Sequence, residues 1–144
     1  MISSDPLTMS PDIKKVAIDS RVENIAVIEK MIDDICAEHG ITEEHYGNIL
    51  IAITEGVNNA ITHGNREKPE AKVTVEFITS NGKLTCKIAD EGPGFDYENV
   101  PDPTSPENLE KPNGRGVFLM RHLADSISFE DNGAVVELNF NNLK

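Results

Sequence analysis

Two Asn-Gly pairs, Asn81-Gly82 and Asn132-Gly133, constrain the fold of this chain more than any other feature. The first separates "AKVTVEFI" from "KLTCKIAD", and the second separates "SISFED" from "AVVELNF". Asn-Gly takes the positive φ angles of a tight hairpin readily, so both pairs predict antiparallel strand pairs. Alternation of apolar and polar residues in "AKVTVEFI" predicts one buried and one wet face. "IKKVAI", from Ile13 to Ile18, reads as a further short edge strand.

Helical spacing comes before the hairpins. Val22, Ile25, Ala26, Glu29, Ile32, Ile35 and Cys36 predict a first helix, opened by the capping-box pattern "SRVE" and ended by Gly40. Thr42 opens a second, with Tyr46, Ile49, Leu50, Ile53, Val57, Ala60 and Ile61 on its apolar face and Gly64 as its C-terminal cap. A short helix, "VFLMRHLAD", lies between the hairpins. Helices first and hairpins later predict an α+β two-layer sandwich, its sheet mixed but mostly antiparallel, with helices on one face. A length of 144 residues suits one domain, read as 12–144 after a polar tail over 1–11. The stretch "DYENVPDPTSPENLEKPNG" holds four prolines and predicts an irregular, movable lid over about 96–113.

Charge narrows the function classes. With 25 acidic and 13 basic residues the net charge is −12, and no basic stripe interrupts it. Direct nucleic-acid binding is therefore disfavoured, whereas a basic protein surface would be attracted. Cys36 and Cys86 have no metal-ligand spacing and sit among apolar neighbours, as reduced buried thiols do. The longest apolar run, "ILIAI", is far too short to cross a membrane, and the N-terminus lacks the apolar core of a signal peptide. A cytoplasmic protein with no membrane role is expected.

Three stretches carry chemistry. In "ITEGVNNAITHGN", Glu55, Asn59 and His63 recur every four residues and share a helical face beside the apolar stripe. Gly56, Asn58 and Asn59 are poor choices for a purely structural helix, Gly56 by about 1 kcal/mol relative to Ala. "DEGPGF", Asp90 to Phe95, follows a strand, and its glycines permit a tight turn or close approach by a ligand. "NGRGVFLM", Asn113 to Met120, is a glycine-rich loop opening a helix, where backbone amides suit a phosphate. Taken singly, each fits an ordinary solvated face, turn or loop as well as a site.

Taken in order, the three resemble the N, G1 and G2 boxes of the GHKL, or Bergerat-fold, ATP-binding family, over roughly residues 12–141. Within it, "SRVENIAVIEKMI" and "AITEGVNNAITHGN" look most like the anti-sigma factor serine/threonine kinase branch. The resemblance implies ATP and Mg²⁺ as cofactors. It matches Asn59 to the amide that helps hold magnesium, which one amide can do only together with nucleotide phosphates. It matches Glu55 to the general base of phosphoryl transfer. Asp90 matches the acceptor of the adenine amino group, with Gly92 and Gly94 lining that pocket. Gly114 and Gly116 would let the loop close over the phosphates, with Arg115 as a candidate for charge compensation and Lys111 as a more distant one. His63 fits the box by position, as a ligand contact or as a helix-end residue. Arg21 is a surface charge that a partner could touch.

The implied function is an ATP-dependent kinase that phosphorylates an anti-anti-sigma protein and sequesters a sigma factor, working as a homodimer. The alternative is a nucleotide-binding partner-switching module that captures its regulator without transfer. Gly56 departs from the branch, where alanine is common. A two-component sensor kinase is disfavoured, since the chain leaves no room for a dimerising hairpin, and His39 and His45 are no substitutes for a phospho-accepting histidine.

Overall fold

The computed structural model describes residues 11–94 and 112–143. Eight main elements follow one another: β1 (Asp12–Asp19), α1 (Ile25–His39), α2 (Glu43–Asn59), β2 (Lys72–Ser80), β3 (Lys83–Ala89), α3 (Pro112–Leu123), β4 (Ser126–Glu130) and β5 (Val135–Phe140). The strands form one sheet in the order β1-β2-β3-β5-β4, and every pairing is antiparallel. The expected architecture is present, with no parallel pair among the described strands.

Alternation decides which face of the sheet is buried. Val73, Val75 and Phe77 of β2, Leu84, Cys86 and Ile88 of β3, and Val136, Leu138 and Phe140 of β5 all point toward the helices. α2 lies between α1 and α3 and supplies Ile49, Ala52, Ile53 and Val57 to the same core. The other sheet face carries a row of alternating charge, Lys15, Glu76, Lys87 and Glu137, paired across four strands. Lys87 Nζ lies 3.7 Å from Glu137 Oε1 in this row. Opposite charges on facing strands stabilise the pairing and keep that surface wet.

Several local expectations are corrected. A short 3₁₀ turn, Val22–Asn24, precedes α1, which puts Ile28, Ile32, Ile35 and Cys36 in the core and leaves Val22, Ala26 and Glu29 exposed. Ser20 does not cap that helix. It is buried, and its hydroxyl donates to Ala71 O at 2.7 Å. Gly40, by contrast, ends α1 in the left-handed conformation at φ 64°.

The Asn81-Gly82 hairpin has positive φ at both turn residues, as a two-residue turn requires. The second hairpin turns more widely, through Asp131, Asn132 and Gly133, all at positive φ. The acidic residue ahead of the Asn-Gly pair joins the turn instead of extending β4. Most of the proline-rich lid, with Lys111, lies outside the described residues. Its last two positions, Pro112 and Asn113, already belong to α3.

Candidate active site

α2 does not end at a glycine cap. It passes at Ala60 into a π-helical turn, Ala60–Gly64, closed by Asn65 N donating to Ala60 O at 2.8 Å. Such wide turns recur at functional sites. Gly64 has no positive φ, so the expected left-handed cap is absent. Its lack of a side chain serves contact instead: a Cβ there would stand 2.3 Å from Asp90 Oδ2. The end of α2 and the end of β3 are thereby pressed together.

The seam between them borders an open cleft of about 550 Å³. Asn59, His63 and Asp90 supply its polar groups, while Ile88, Met120, Phe129 and Val136 supply apolar walls. Asn59 is the last residue of α2 and is half-buried; His63 stands exposed one turn further on. Asp90 comes directly after β3 and lines the same cleft. Its backbone N–H donates to Ala134 O at 2.9 Å, and its Oδ1 accepts from Gly92 N at 2.8 Å. Burial pushes the Asp90 carboxyl above the usual carboxylate range, and the Gly92 amide partly opposes that. A half-buried carboxylate closing an apolar slot suits a flat base that offers an N–H donor.

The glycines of "DEGPGF" do permit close approach, but the protein's own chain makes it. A Cβ on Gly92 would sit 2.0 Å from Gly64 O, and one on Gly94 2.0 Å from Asn132 O. Gly94, at φ 85°, lines the cleft; Gly92 lines the adjoining groove behind the seam. Gly56 has a similar explanation, because the Ile88 side chain would lie 2.6 Å from a Cβ there. The glycine departs from helix propensity so that the floor of the cleft can pack against α2.

Gly114, Arg115 and Gly116 are not in a loop. α3 starts at Pro112, whose fixed φ and missing N–H suit a first helical position, so all three lie in its first turns. Gly116 is buried against Asn59: a Cβ on it would be 2.5 Å from Asn59 Nδ2. Glu55 lies one turn before Asn59 on α2, half-buried and outside the residues that line the cleft. Arg21 is exposed, far along the chain from these elements. Sequence reasoning missed Met120, Phe129 and Ala134 as walls, since their apolar character reads equally as core. It also missed Asn65, whose position beside the glycine at the end of the helix was the available signal.

The family described as "Histidine kinase-like ATPase domain" matches residues 18–140. The chain belongs to this family. Curated relatives are named "Serine-protein kinase RsbW". That of Bacillus velezensis is 23% identical over 90% of this chain and 84% of its own length. That of Staphylococcus aureus is 24% identical over 88% and 85%, and that of Bacillus cereus 26% over 85% and 80%.

Among solved structures, the RsbU and RsbW domains of Rv1364c from Mycobacterium tuberculosis are similar with a TM-score of 0.63 at 16% identity. That likeness covers 90% of this chain and 32% of the longer one, and it shows a shared fold. Among the described residues no helix is long and apolar enough to cross a membrane.

Proposed function

We propose that this family member is a serine/threonine protein kinase that takes ATP with Mg²⁺ and transfers phosphate to an anti-anti-sigma protein, while also sequestering a sigma factor. The observation that carries the reading is the cleft itself. An apolar slot whose lining includes the Asp90 carboxyl and the Asn59 amide fits a purine nucleotide, its base toward the end of β3. The relatives' shared name, serine-protein kinase, supports the class of acceptor.

In this reading Asp90 accepts the amino N–H of adenine, and Ile88, Met120 and Phe129 cover the faces of the base. Asn59 offers its amide oxygen to magnesium arriving with nucleotide, and the metal would supply charge neutralisation at the phosphates. The donor set fits that arrangement, because a single amide oxygen is a weak site for free metal. Gly116, having no Cβ, leaves the space against α3 that the amide occupies. Glu55 stands one turn back along α2, beside the cleft instead of within it, where a protein acceptor would bring its hydroxyl. It takes the hydroxyl proton as the oxygen bonds to the γ-phosphorus of ATP and the bond to the β–γ bridging oxygen breaks, releasing ADP.

Gly114 and Arg115 fall in the first turn of α3, where free backbone N–H groups suit phosphate oxygens. The partner is a basic surface, matched by the net charge of −12. Calorimetric titration with ATP and Mg²⁺ tests the pocket: saturable binding that Asp90→Asn weakens supports it, and equal affinity in the two proteins contradicts it.

A further inference from the structure

Asn65 is 4% exposed, yet both protons and the oxygen of its side-chain amide are engaged. Nδ2 donates to Ser20 Oγ at 2.8 Å and to Lys72 O at 2.9 Å. Oδ1 accepts from Glu91 N at 2.7 Å. Ser20 Oγ passes the chain of bonds on to Ala71 O at 2.7 Å, and the Glu91 carboxylate in turn accepts from Lys72 N. One amide therefore ties together the end of β1, the π turn after α2, the start of β2 and the loop after β3. A buried polar network in which every group is satisfied rigidifies what it joins.

The Glu91 N–H is the other half of the peptide that begins at Asp90. Asp90 is thus held on both sides, its own N–H on Ala134 O and the next N–H on Asn65 Oδ1. Its carboxylate is held a third time by Gly92 N. Asn65 does not itself line the nucleotide cleft; it lies in the groove behind, on the far side of the Gly64–Gly92 seam. We propose that Asn65 is a positioning residue for base recognition, fixing the Asp90 backbone so that its carboxylate selects a base bearing an amino group over one bearing a carbonyl. The inference rests on the proposal that Asp90 reads adenine.

The experiment compares calorimetric affinities for ATP and GTP, each with Mg²⁺, in the unaltered protein, Asp90→Asn, Asn65→Ala, Asn65→Asp and the Asn65→Ala/Asp90→Asn pair. Asn65→Ala should lower the ATP-to-GTP preference by about tenfold, the effect of one lost hydrogen bond to a buried group. The double variant should lose no more selectivity than Asp90→Asn alone, because both act through one carboxylate. Asn65→Asp keeps an acceptor for the Glu91 N–H and should keep the selectivity, although it lowers the melting temperature.

A purely structural amide would instead lower stability in both Asn65 variants and leave the preference untouched, which overturns the inference. Selectivity unchanged in Asp90→Asn would overturn the adenine assignment itself, a separate result. Should Asn65→Ala fail to fold, amide exchange at Glu91 in the unaltered protein decides. Slower exchange with ADP than with GDP supports the role, and equal exchange overturns it.

Discussion

Gly116 of α3 lies directly against the side-chain amide of Asn59: a Cβ on the glycine would fall 2.5 Å from Nδ2 and 2.8 Å from Oδ1. Two stretches far apart in sequence, one ending α2 and one opening α3, are therefore parts of a single contact. The orientation of the amide that we assign to magnesium depends on a side chain that α3 does not have.

Gly116→Ala follows from this contact. Alanine favours a helix interior by about 1 kcal/mol, which offsets part of the clash, so thermal stability should change little. The Asn59 amide must move, however, and ATP affinity in the presence of Mg²⁺ should fall about tenfold. Unchanged affinity in a well-folded variant would show that the amide does not need its present orientation.

Glu55→Gln removes a proton acceptor and keeps the shape of α2. Nucleotide affinity should stay within about twofold, while phosphoryl transfer should drop by about 10²-fold or more, the usual contribution of a general base. Rapid-quench measurement of one turnover separates the two effects. Transfer at the unaltered rate removes Glu55 from that role.

If Asp90 accepts from the base as proposed, nucleotide binding should be sensitive to acid. Its carboxyl is raised above the ordinary range by burial, so the folded protein binds a proton where the unfolded chain has already lost one. The stability linked to this group is therefore present at low pH and is lost as pH rises through the raised value. The proposed adenine recognition should run the other way, since the ionised carboxylate is the better acceptor. ATP affinity should decline on acidification before ordinary aspartates titrate, and Asp90→Asn should abolish that limb of the profile. A pH profile identical in the two proteins would contradict the assignment.

The two thiols should be silent in the native state. Cys86 is fully buried on β3, and burial pushes its thiol far above the usual range. Cys36 on α1 is 7% exposed and is raised for the same reason first, with the Asp33 carboxylate adding to it. Thiolate, not thiol, reacts with disulfide reagents. Both cysteines should react with Ellman's reagent only as denaturant unfolds the protein, and fast native-state labelling would contradict the burial.

Much of this architecture was legible because period and turn chemistry agree. The alternation in "AKVTVEFI" and the Asn81-Gly82 pair place β2 and β3 with little ambiguity. The apolar face of α2 and of the π turn after it was legible through Ile49, Ile53, Val57, Ala60 and Ile61, all buried. α1 was harder, because the 3₁₀ turn at Val22–Asn24 resets the phase and a local pattern does not reveal where the α-helix starts.

Ser20 shows a second limit. "SRVE" has the form of a cap, but the hydroxyl finds Ala71 and Asn65, partners fifty-one and forty-five residues away. The same holds for Gly64, Gly92 and Gly116, whose need for small size comes from chain segments that meet only in the folded protein. Sequence marks such glycines as unusual; tertiary contact says what they admit.

The most direct test of the central claim is phosphate transfer. The protein would be incubated with γ-labelled ATP and Mg²⁺ and with each anti-anti-sigma-like domain encoded in its source genome, with Glu55→Gln alongside. Label on a serine or threonine of one acceptor, lost in the variant, is the predicted result. Confirmed ATP binding with no label on any acceptor would contradict the kinase and leave a nucleotide-dependent binding module.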